Sequence, residues 1–334
     1  MTFVENITLD EAIWRNHYQI VTTDADDTKN YNPLFFGSAF KFVYRERVWL
    51  VTADHVIHPD KHGLDTQKIE GEDNEYNYEV INNINSKGEI QSLATSLYGF
   101  YFFDEYVDLL KEFTEEELRE LDVTADDFFD RVDVAFSDVS RGFPCPCVTH
   151  ALKLSDGKIV VNAGLPKLAY MQENVSAPDP DKLYYVYGVV HNEIRGVQLH
   201  RVNATYGQNK YIGEEKGLFK FKAAIPVYED GWRALSGSAM LDNTGQLVGM
   251  IIRVDATTDT LTVVPMSLIM RLMDYAIEHE KGSAKEISRI LSANFDAENK
   301  GKYTKSQIYD DIFNVCQIKD QCFYKLIKDM IERN

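Results

Sequence analysis

In its second half the chain reads Ala234-Leu-Ser236-Gly237-Ser-Ala-Met-Leu-Asp-Asn-Thr-Gly245-Gln-Leu-Val-Gly249. A serine beside a glycine precedes a short apolar run, a polar turn and a second apolar run. Taken alone, this pattern indicates a β-hairpin that follows a tight turn. Its chemical meaning depends on two segments that come earlier in the chain.

Those two segments supply a histidine and an aspartate. The apolar run Trp49-Leu-Val-Thr-Ala-Asp-His55 ends on the histidine, and Arg131-Val-Asp133-Val-Ala-Phe136 carries the aspartate in another predicted strand. Each residue alone is ordinary for a loop, a strand edge or a turn. Together they place His, Asp and Ser in that order at strand ends, which is the chain order of chymotrypsin-type constellations and not of subtilisins or α/β-hydrolases.

Length and composition set the limits for this interpretation. The 334 residues correspond to about two domains. A hydrophobic content of 44% excludes wholesale disorder, and no apolar run is long enough to span a membrane. A net charge of −18 argues against nucleic-acid binding. The acidic N-terminus resembles no secretory signal, so we expect a cytoplasmic protein without a membrane partner.

Short β-rich runs with polar turns recur along most of the chain, which predicts a mainly β protein. The fold class that we predict is two six-stranded antiparallel barrels, with an acidic helical insertion and a C-terminal helical appendage. The predicted strands are 35–44, 47–52, 76–81, 93–103, 132–136, 158–162, 183–190, 196–205, 218–223, 246–254 and 260–264.

Two segments depart from the β pattern. Residues 104–133 contain thirteen acidic and three basic residues with a helix-capping box, and helical spacing begins again after Pro265. The predicted organisation is a barrel half at 1–149 that includes the insertion, a second half at 150–280 ending in a helix, and a helical extension at 281–334.

The motifs resemble those of trypsin-like serine peptidases, in the style of the bacterial group. Thr52-Ala-Asp-His55 resembles the family's Thr-Ala-Ala-His, and Asp133-Val-Ala resembles its Asp-hydrophobic-Ala segment. Leu235-Ser-Gly-Ser238 with the following hairpin resembles its serine strand, and Val264-Pro-Met266 resembles its strand-to-helix exit. The resemblance covers roughly residues 12–280.

The resemblance implies a role for each motif residue. Ser236 is the expected nucleophile, His55 the general base and acid, and Asp133 the group that orients the histidine. The backbone N–H groups of Ala234 and Ser236 are the expected oxyanion hole. Ala234 stands where the family usually has glycine, and Leu235 replaces the aspartate that pairs with a cut N-terminus in trypsin, so any control must act in another way.

Substrate preference stays open at the sequence level. Asp230 lies where trypsin-like enzymes keep the residue at the floor of the specificity pocket and would favour a basic substrate residue, or it belongs to a solvated turn. The strand Ile252, Arg253 and Val254 is expected to pair with substrate backbone. Arg253 near the pocket would instead favour an acidic or small residue.

No cofactor or metal is predicted. The segment 296–307 has the rhythm of a calcium loop, but Lys300 and Gln307 stand at two ligand positions. His58 and His62 are four residues apart around Pro59 in a predicted loop, and neither a zinc pattern nor a phosphate-binding glycine loop is present.

The predicted function is a regulated intracellular serine endopeptidase that cleaves a protein or peptide substrate through an acyl-enzyme. The acidic insertion and the C-terminal helices are candidate surfaces for an activating protein partner. The alternative is a catalytically inactive trypsin-like binding module, for which Ala234 is the main support. An esterase of another fold is disfavoured because Ser236 lacks a Gly-x-Ser-x-Gly elbow.

Overall fold

Antiparallel β-structure dominates the part of the chain that the structure describes, as the predicted mainly β class requires. A computed structural model describes residues 7–24, 33–59, 62, 76–81, 93–94, 133–140, 147–148, 151–153, 159–195, 198–227, 232–274, 276–277, 288 and 304–308. The acidic insertion before Asp133, Asp230 and most of the C-terminal extension lie outside these residues. The predicted domain boundaries stay predictions.

The first half of the described chain forms one sheet. Its consecutive strands are β1 (His17–Asp24), β2 (Pro33–Tyr44), β3 (Arg47–Thr52), β4 (Tyr76–Ile81), β5 (Leu93–Ala94) and β6 (Ala135–Asp138). They lie in the order β5-β4-β1-β2-β3-β6 and pair antiparallel. Among the described residues this order does not return to its start, so closure into a first barrel stays a prediction.

The second half contains the closed barrel. The strands of this second half are β7 (Leu152–Lys153), β8 (Ile159–Val161), β9 (Tyr170–Met171), β10 (Leu183–Arg195), β11 (Gln198–Glu215), β12 (Leu218–Lys222), β13 (Ala239–Asp242), β14 (Leu247–Asp255) and β15 (Thr260–Pro265). The strands β10-β11-β12-β15-β14-β13 close on themselves, which confirms one of the two predicted six-stranded barrels. β7 pairs with β8, and β9 lies parallel to β2.

Helix α1 (Leu9–Asn16) precedes the first sheet and packs onto the core. Thr8 caps the helix by accepting the Glu11 N–H, and the helix buries Ile13 and Trp14. A larger apolar cluster includes residues of both halves, and a smaller one fills the barrel. The two halves of the chain therefore share buried apolar surface.

The β2–β3 hairpin is tied to the helix at 266–274. Its turn residues Arg45 and Glu46 both have positive φ angles, of 50° and 62°, as a type I′ turn requires. Asp274 accepts hydrogen bonds from Arg45 and from the Tyr44 hydroxyl, the latter at 2.7 Å.

No helix in the described part of the chain is long and apolar enough to cross a membrane.

Candidate active site

His55 is positioned by the short helix α2 (Asp54–Ile57), which follows directly after β3. The next residue, Val56, packs against Gly37 of β2. A Cβ on Gly37 would lie 2.4 Å from the Val56 side chain, so only glycine permits this approach of helix and strand. The His55 side chain remains 15% exposed at the end of the sheet.

Asp133 binds His55 through both carboxylate oxygens. Oδ2 lies 2.7 Å from His55 Nδ1, and Oδ1 accepts the backbone N–H of His55 at 3.0 Å. Thr52 of β3 pairs with Ala135 of β6, and this pairing brings His55 and Asp133, which are distant in sequence, next to each other. Since a carboxylate only accepts, Nδ1 carries the hydrogen, and Nε2 of the neutral ring is left to accept a proton.

The charge on Asp133 is favoured by its histidine neighbours. Burial by itself would raise the pKa of this carboxyl group, but the charge and hydrogen bonds of His55, together with His62, lower the pKa overall. The carboxylate therefore stays ionised, which suits a group that orients an imidazole and stabilises its cation.

Ser236 follows the 3₁₀ turn Arg233–Leu235, and its loop lies against β2. The Ser38 N–H donates to the Ser236 carbonyl oxygen at 2.8 Å. Gly237 has a φ of 88°, and a Cβ on it would lie 1.9 Å from the Ser38 carbonyl oxygen. The serine loop is thus held on the same strand against which α2 packs.

The serine loop and the helix that bears His55 therefore contact adjacent residues of β2, because the Ser236 carbonyl binds Ser38 and Val56 packs against Gly37. Among the described residues, however, no hydrogen bond links the Ser236 hydroxyl to the His55 ring. In enzymes without substrate this hydrogen bond is often long, and it tightens when substrate binds.

The predicted oxyanion-hole residues lie on either side of Leu235. The Ala234 carbonyl accepts a hydrogen bond from the Ser38 hydroxyl, and the Leu235 carbonyl accepts one from the Ser238 N–H, both at 2.8 Å. In a trans peptide the C=O and N–H point in opposite directions. The Ser236 N–H therefore points away from Ser238. Convergence of two N–H groups on one oxygen stays a prediction.

The residues predicted to bind substrate have different surroundings. Asp230 lies outside the described residues. On β14, Ile252 is buried, Arg253 is exposed and Val254 is partly exposed. The pairing of β13 with β14 ends at Met250, so in the described part of the chain no strand covers this edge of β14 from Ile252 onward.

A buried carboxylate beside the candidate catalytic pair was not found from the sequence. Asp54 is fully buried and binds His58 Nδ1 at 2.8 Å and His62 Nε2 at 3.0 Å. Burial would raise the pKa of Asp54, but the two histidines lower it well below its usual range. The available signal was an aspartate in place of the alanine of the family motif, with histidines four and eight residues later.

This cluster adjoins the candidate catalytic pair. His62 Nε2 lies 3.9 Å from Asp133 Oδ1, and the His62 and His55 rings are 5.9 Å apart. Within the described residues, no group of three or more His, Cys, Asp or Glu side chains is arranged to hold a metal ion.

Solved structures that are similar to this chain include proteases. A serine endoprotease from Yersinia pestis has 13% identity over 83% of this chain and 68% of its own, with a TM-score of 0.41. The active form of the Rv3671c protease from M. tuberculosis has 14% identity over 79% and 82%, with a TM-score of 0.36. A tobacco vein mottling virus protease has 7% identity over 79% and 83%, with a TM-score of 0.36.

No protein-family model and no curated protein sequence matches the chain. The motifs of the chain resemble those of trypsin-like peptidases, and the solved structures to which it is similar include a serine endoprotease and other proteases. At identities of 14% or less and TM-scores below 0.5, the roles of individual residues rest on the geometry described above.

Proposed function

We propose that this chain is a serine endopeptidase in which Ser236, His55 and Asp133 form the catalytic triad. The observation that carries the proposal is the hold of Asp133 on His55, through both the ring and the backbone of the histidine. This arrangement fixes the tautomer and the orientation of the imidazole, as a general base requires. The loop that bears Ser236 lies against β2, the strand against which the His55 helix α2 also packs.

The chemistry follows from these positions. The Ser236 oxygen attacks the carbonyl carbon of the substrate while His55 Nε2 takes the hydroxyl proton. The C–N bond then breaks as the imidazolium returns that proton to the leaving amine. Water repeats the two steps on the acyl-enzyme and releases the acid. Asp133 remains ionised and stabilises the transient imidazolium throughout.

Substrate backbone is expected to bind along β14. The edge of Ile252, Arg253 and Val254 faces away from β15 and lies beyond the end of β13. An extended peptide can add to such an edge through main-chain hydrogen bonds.

Regulation is part of the proposal. Alanine at position 234 and the absence of a hydrogen bond between Ser236 and His55 favour a site that is completed when a substrate or a substrate-like probe binds, and that a protein partner activates further. The acidic insertion and the C-terminal extension are the candidate partner surfaces, and a cytoplasmic location accords with a peptidase that needs such control.

A binding module without catalysis is the second candidate. The same missing hydrogen bond between Ser236 and His55 supports it, because an inactive relative can keep the triad residues without their alignment. The two candidates differ in the reactivity of one hydroxyl, which can be measured directly.

The test is labelling of the chain by a fluorophosphonate, which requires an activated serine. Wild-type protein should be labelled, and Ser236→Ala or His55→Ala should remove the label. Ser176→Ala is the matched control, because it removes a buried serine hydroxyl that has no hydrogen-bond partner. Labelling that survives Ser236→Ala contradicts the proposed nucleophile, whereas an unlabelled wild type favours the binding module.

A further inference from the structure

A buried chain of hydrogen bonds runs from β1 to the serine loop. His17 Nε2 lies 3.0 Å from the Ser38 hydroxyl, and that hydroxyl lies 2.8 Å from the Ala234 carbonyl oxygen. His17 is 9% exposed, and Ser38 is fully buried. These hydrogen bonds thus connect a histidine of the first sheet to the loop of the candidate nucleophile.

The direction of each hydrogen bond follows from the chemistry of the groups. A carbonyl oxygen only accepts, so the single Ser38 hydroxyl hydrogen goes to Ala234. The Ser38 oxygen must then accept from His17, whose Nε2 carries a hydrogen. Both the cation and one neutral tautomer of His17 meet this requirement.

Ser38 holds the loop on both sides of the peptide that matters. Its hydroxyl binds the Ala234 carbonyl, and its N–H binds the Ser236 carbonyl. Between these two anchors lies the peptide of Leu235 and Ser236, whose N–H is the expected oxyanion donor. Loss of one anchor leaves this peptide freer to rotate.

The site around Ser38 is closely packed. Thr52 donates its hydroxyl to the Ser38 carbonyl at 2.8 Å, and a Cβ on Gly188 would lie 3.2 Å from the Ser38 hydroxyl. The Tyr187 ring meets His17 edge-on, with ring centroids 4.6 Å apart, and the Lys167 amine donates to the His17 carbonyl at 2.5 Å. These contacts restrict both ends of the hydrogen-bond chain.

We propose that His17 is a positioning residue for the serine loop: by donating to Ser38, it directs the Ser38 hydroxyl onto the Ala234 carbonyl and aligns the Ser236 N–H. The proposal rests on the peptidase function proposed above. His17 touches neither substrate nor reacting atoms and acts only through Ser38. The alignment of the Ser236 N–H stabilises the transition state, because the oxyanion forms there and not in the bound substrate.

The experiment compares His17→Met with His17→Gln, two side chains of similar shape. Glutamine can place an amide N–H near the position of Nε2, whereas methionine has no donor. With a peptide ester as substrate, His17→Met should lower kcat by about tenfold to a hundredfold, since small misplacements carry losses of this order. KM should stay nearly constant, and His17→Gln should restore most of kcat.

A double-mutant cycle with Ser38→Ala tests whether His17 acts through Ser38. In the Ser38→Ala background, His17→Met should cause little further loss of kcat, because Ser38→Ala has already removed the hydrogen bonds that connect His17 to Ala234. Thermal melting of each variant shows whether it is folded at the assay temperature.

Every outcome bears on the proposal. Equal kcat for wild type and a folded His17→Met variant overturns it, and so does additive loss with Ser38→Ala or failure of His17→Gln to restore kcat. A wild-type chain that the fluorophosphonate does not label overturns the peptidase function and this inference together. A labelled wild type with an unaffected His17→Met variant overturns the inference alone.

Discussion

Gly237 is the residue at which the serine loop comes closest to β2. Its φ of 88° disfavours any side chain, and a Cβ would lie 1.9 Å from the Ser38 carbonyl oxygen and 2.8 Å from the Thr52 hydroxyl. Glycine is therefore required here for two separate reasons, the backbone conformation and the lack of space.

Gly237→Ala should separate the serine loop from β2. Positive φ and steric overlap together should lower the free energy of unfolding by about 3–5 kcal/mol and abolish labelling of Ser236. Gly164→Ala is the matched control, because Gly164 has a φ of 82° but no atom within 4 Å of its Cβ position. That control should cost only about 1–2 kcal/mol. Similar losses in chemical denaturation would contradict the proposed overlap.

Asp54 contributes charge to a buried site next to the proposed triad. Its carboxylate is fully buried and depends on His58 and His62, which lower its pKa against the effect of burial. Because the folded pKa lies below the ordinary value, the carboxylate stabilises the fold above about pH 4, and this stabilisation is lost as the pH falls.

Asp54→Asn should lower the free energy of unfolding by about 3 kcal/mol at neutral pH, since it breaks a buried ionic cluster. The difference from wild type should narrow as the pH falls below about 4. Asp10→Asn, at an exposed position in α1, controls for the loss of one negative charge. Denaturant titrations across this pH range measure both variants. A difference that does not change with pH would contradict the role of the Asp54 charge.

At the scale of elements, the β2–β3 hairpin is the scaffold of the site. One end of the pair carries Ser38 and Thr52 beneath the serine loop, and the other end is the turn that binds Asp274. The Tyr44 hydroxyl donates to Asp274, and burial together with this partner raises the pKa of the phenol. The turn is thereby attached to the helix at 266–274.

Tyr44→Phe should remove that attachment with little change in shape. The loss of one hydrogen bond to a charged group should lower the free energy of unfolding by about 1–2 kcal/mol. In an Asp274→Ala background, the same change should have almost no effect. Equal effects of Tyr44→Phe in both backgrounds, measured by denaturant titration, would show that Asp274 is not the partner that matters.

At the scale of the whole molecule, the apolar core connects the two halves. The larger cluster includes Trp14 and Phe40 from the first half and Tyr187 and Met250 from the barrel. Hydrogen bonds from Ser38 to the serine loop cross the same boundary. Neither half can separate without exposing buried apolar surface.

We therefore expect the two halves to unfold in one transition. The tryptophans report on different parts, because Trp49 lies in the larger cluster and Trp232 in the barrel cluster. Fluorescence of a Trp232→Phe variant, and of a Trp14→Phe/Trp49→Phe variant that keeps only Trp232, should each melt together with the far-ultraviolet circular dichroism of the same variant. Two separate transitions within either variant would show independent halves.

Local sequence was enough to predict the strands that are specified by their own residues and by the turn formers beside them. Residues 47–52 and 76–81 are strands with the predicted bounds, and 218–223 and 260–264 differ from the observed strands by one residue. Apolar and β-branched residues bounded by turn formers specify such strands without distant partners. The order of histidine, aspartate and serine was also readable directly from the chain.

Strand β1 (His17–Asp24) was not predicted, because its sequence contains buried polar residues. Gln19 and Thr22 are fully buried, and they interrupt the apolar pattern expected of an interior strand. The strand exists because β2 and β4 pair with it on both sides. Its polar groups can be buried only where the folded sheet supplies hydrogen-bond partners.

The sequence by itself determined the mainly β class, the candidate residues and their order along the chain, because these depend on composition and short-range pattern. Only the tertiary structure decided what surrounds them: Asp133 on His55, two histidines on Asp54, and Ser38 between His17 and Ala234. Ser38 and Ala234 are 196 positions apart, a separation that no local pattern encodes. Such contacts form only when the packing of the sheet and the barrel brings distant backbone segments together.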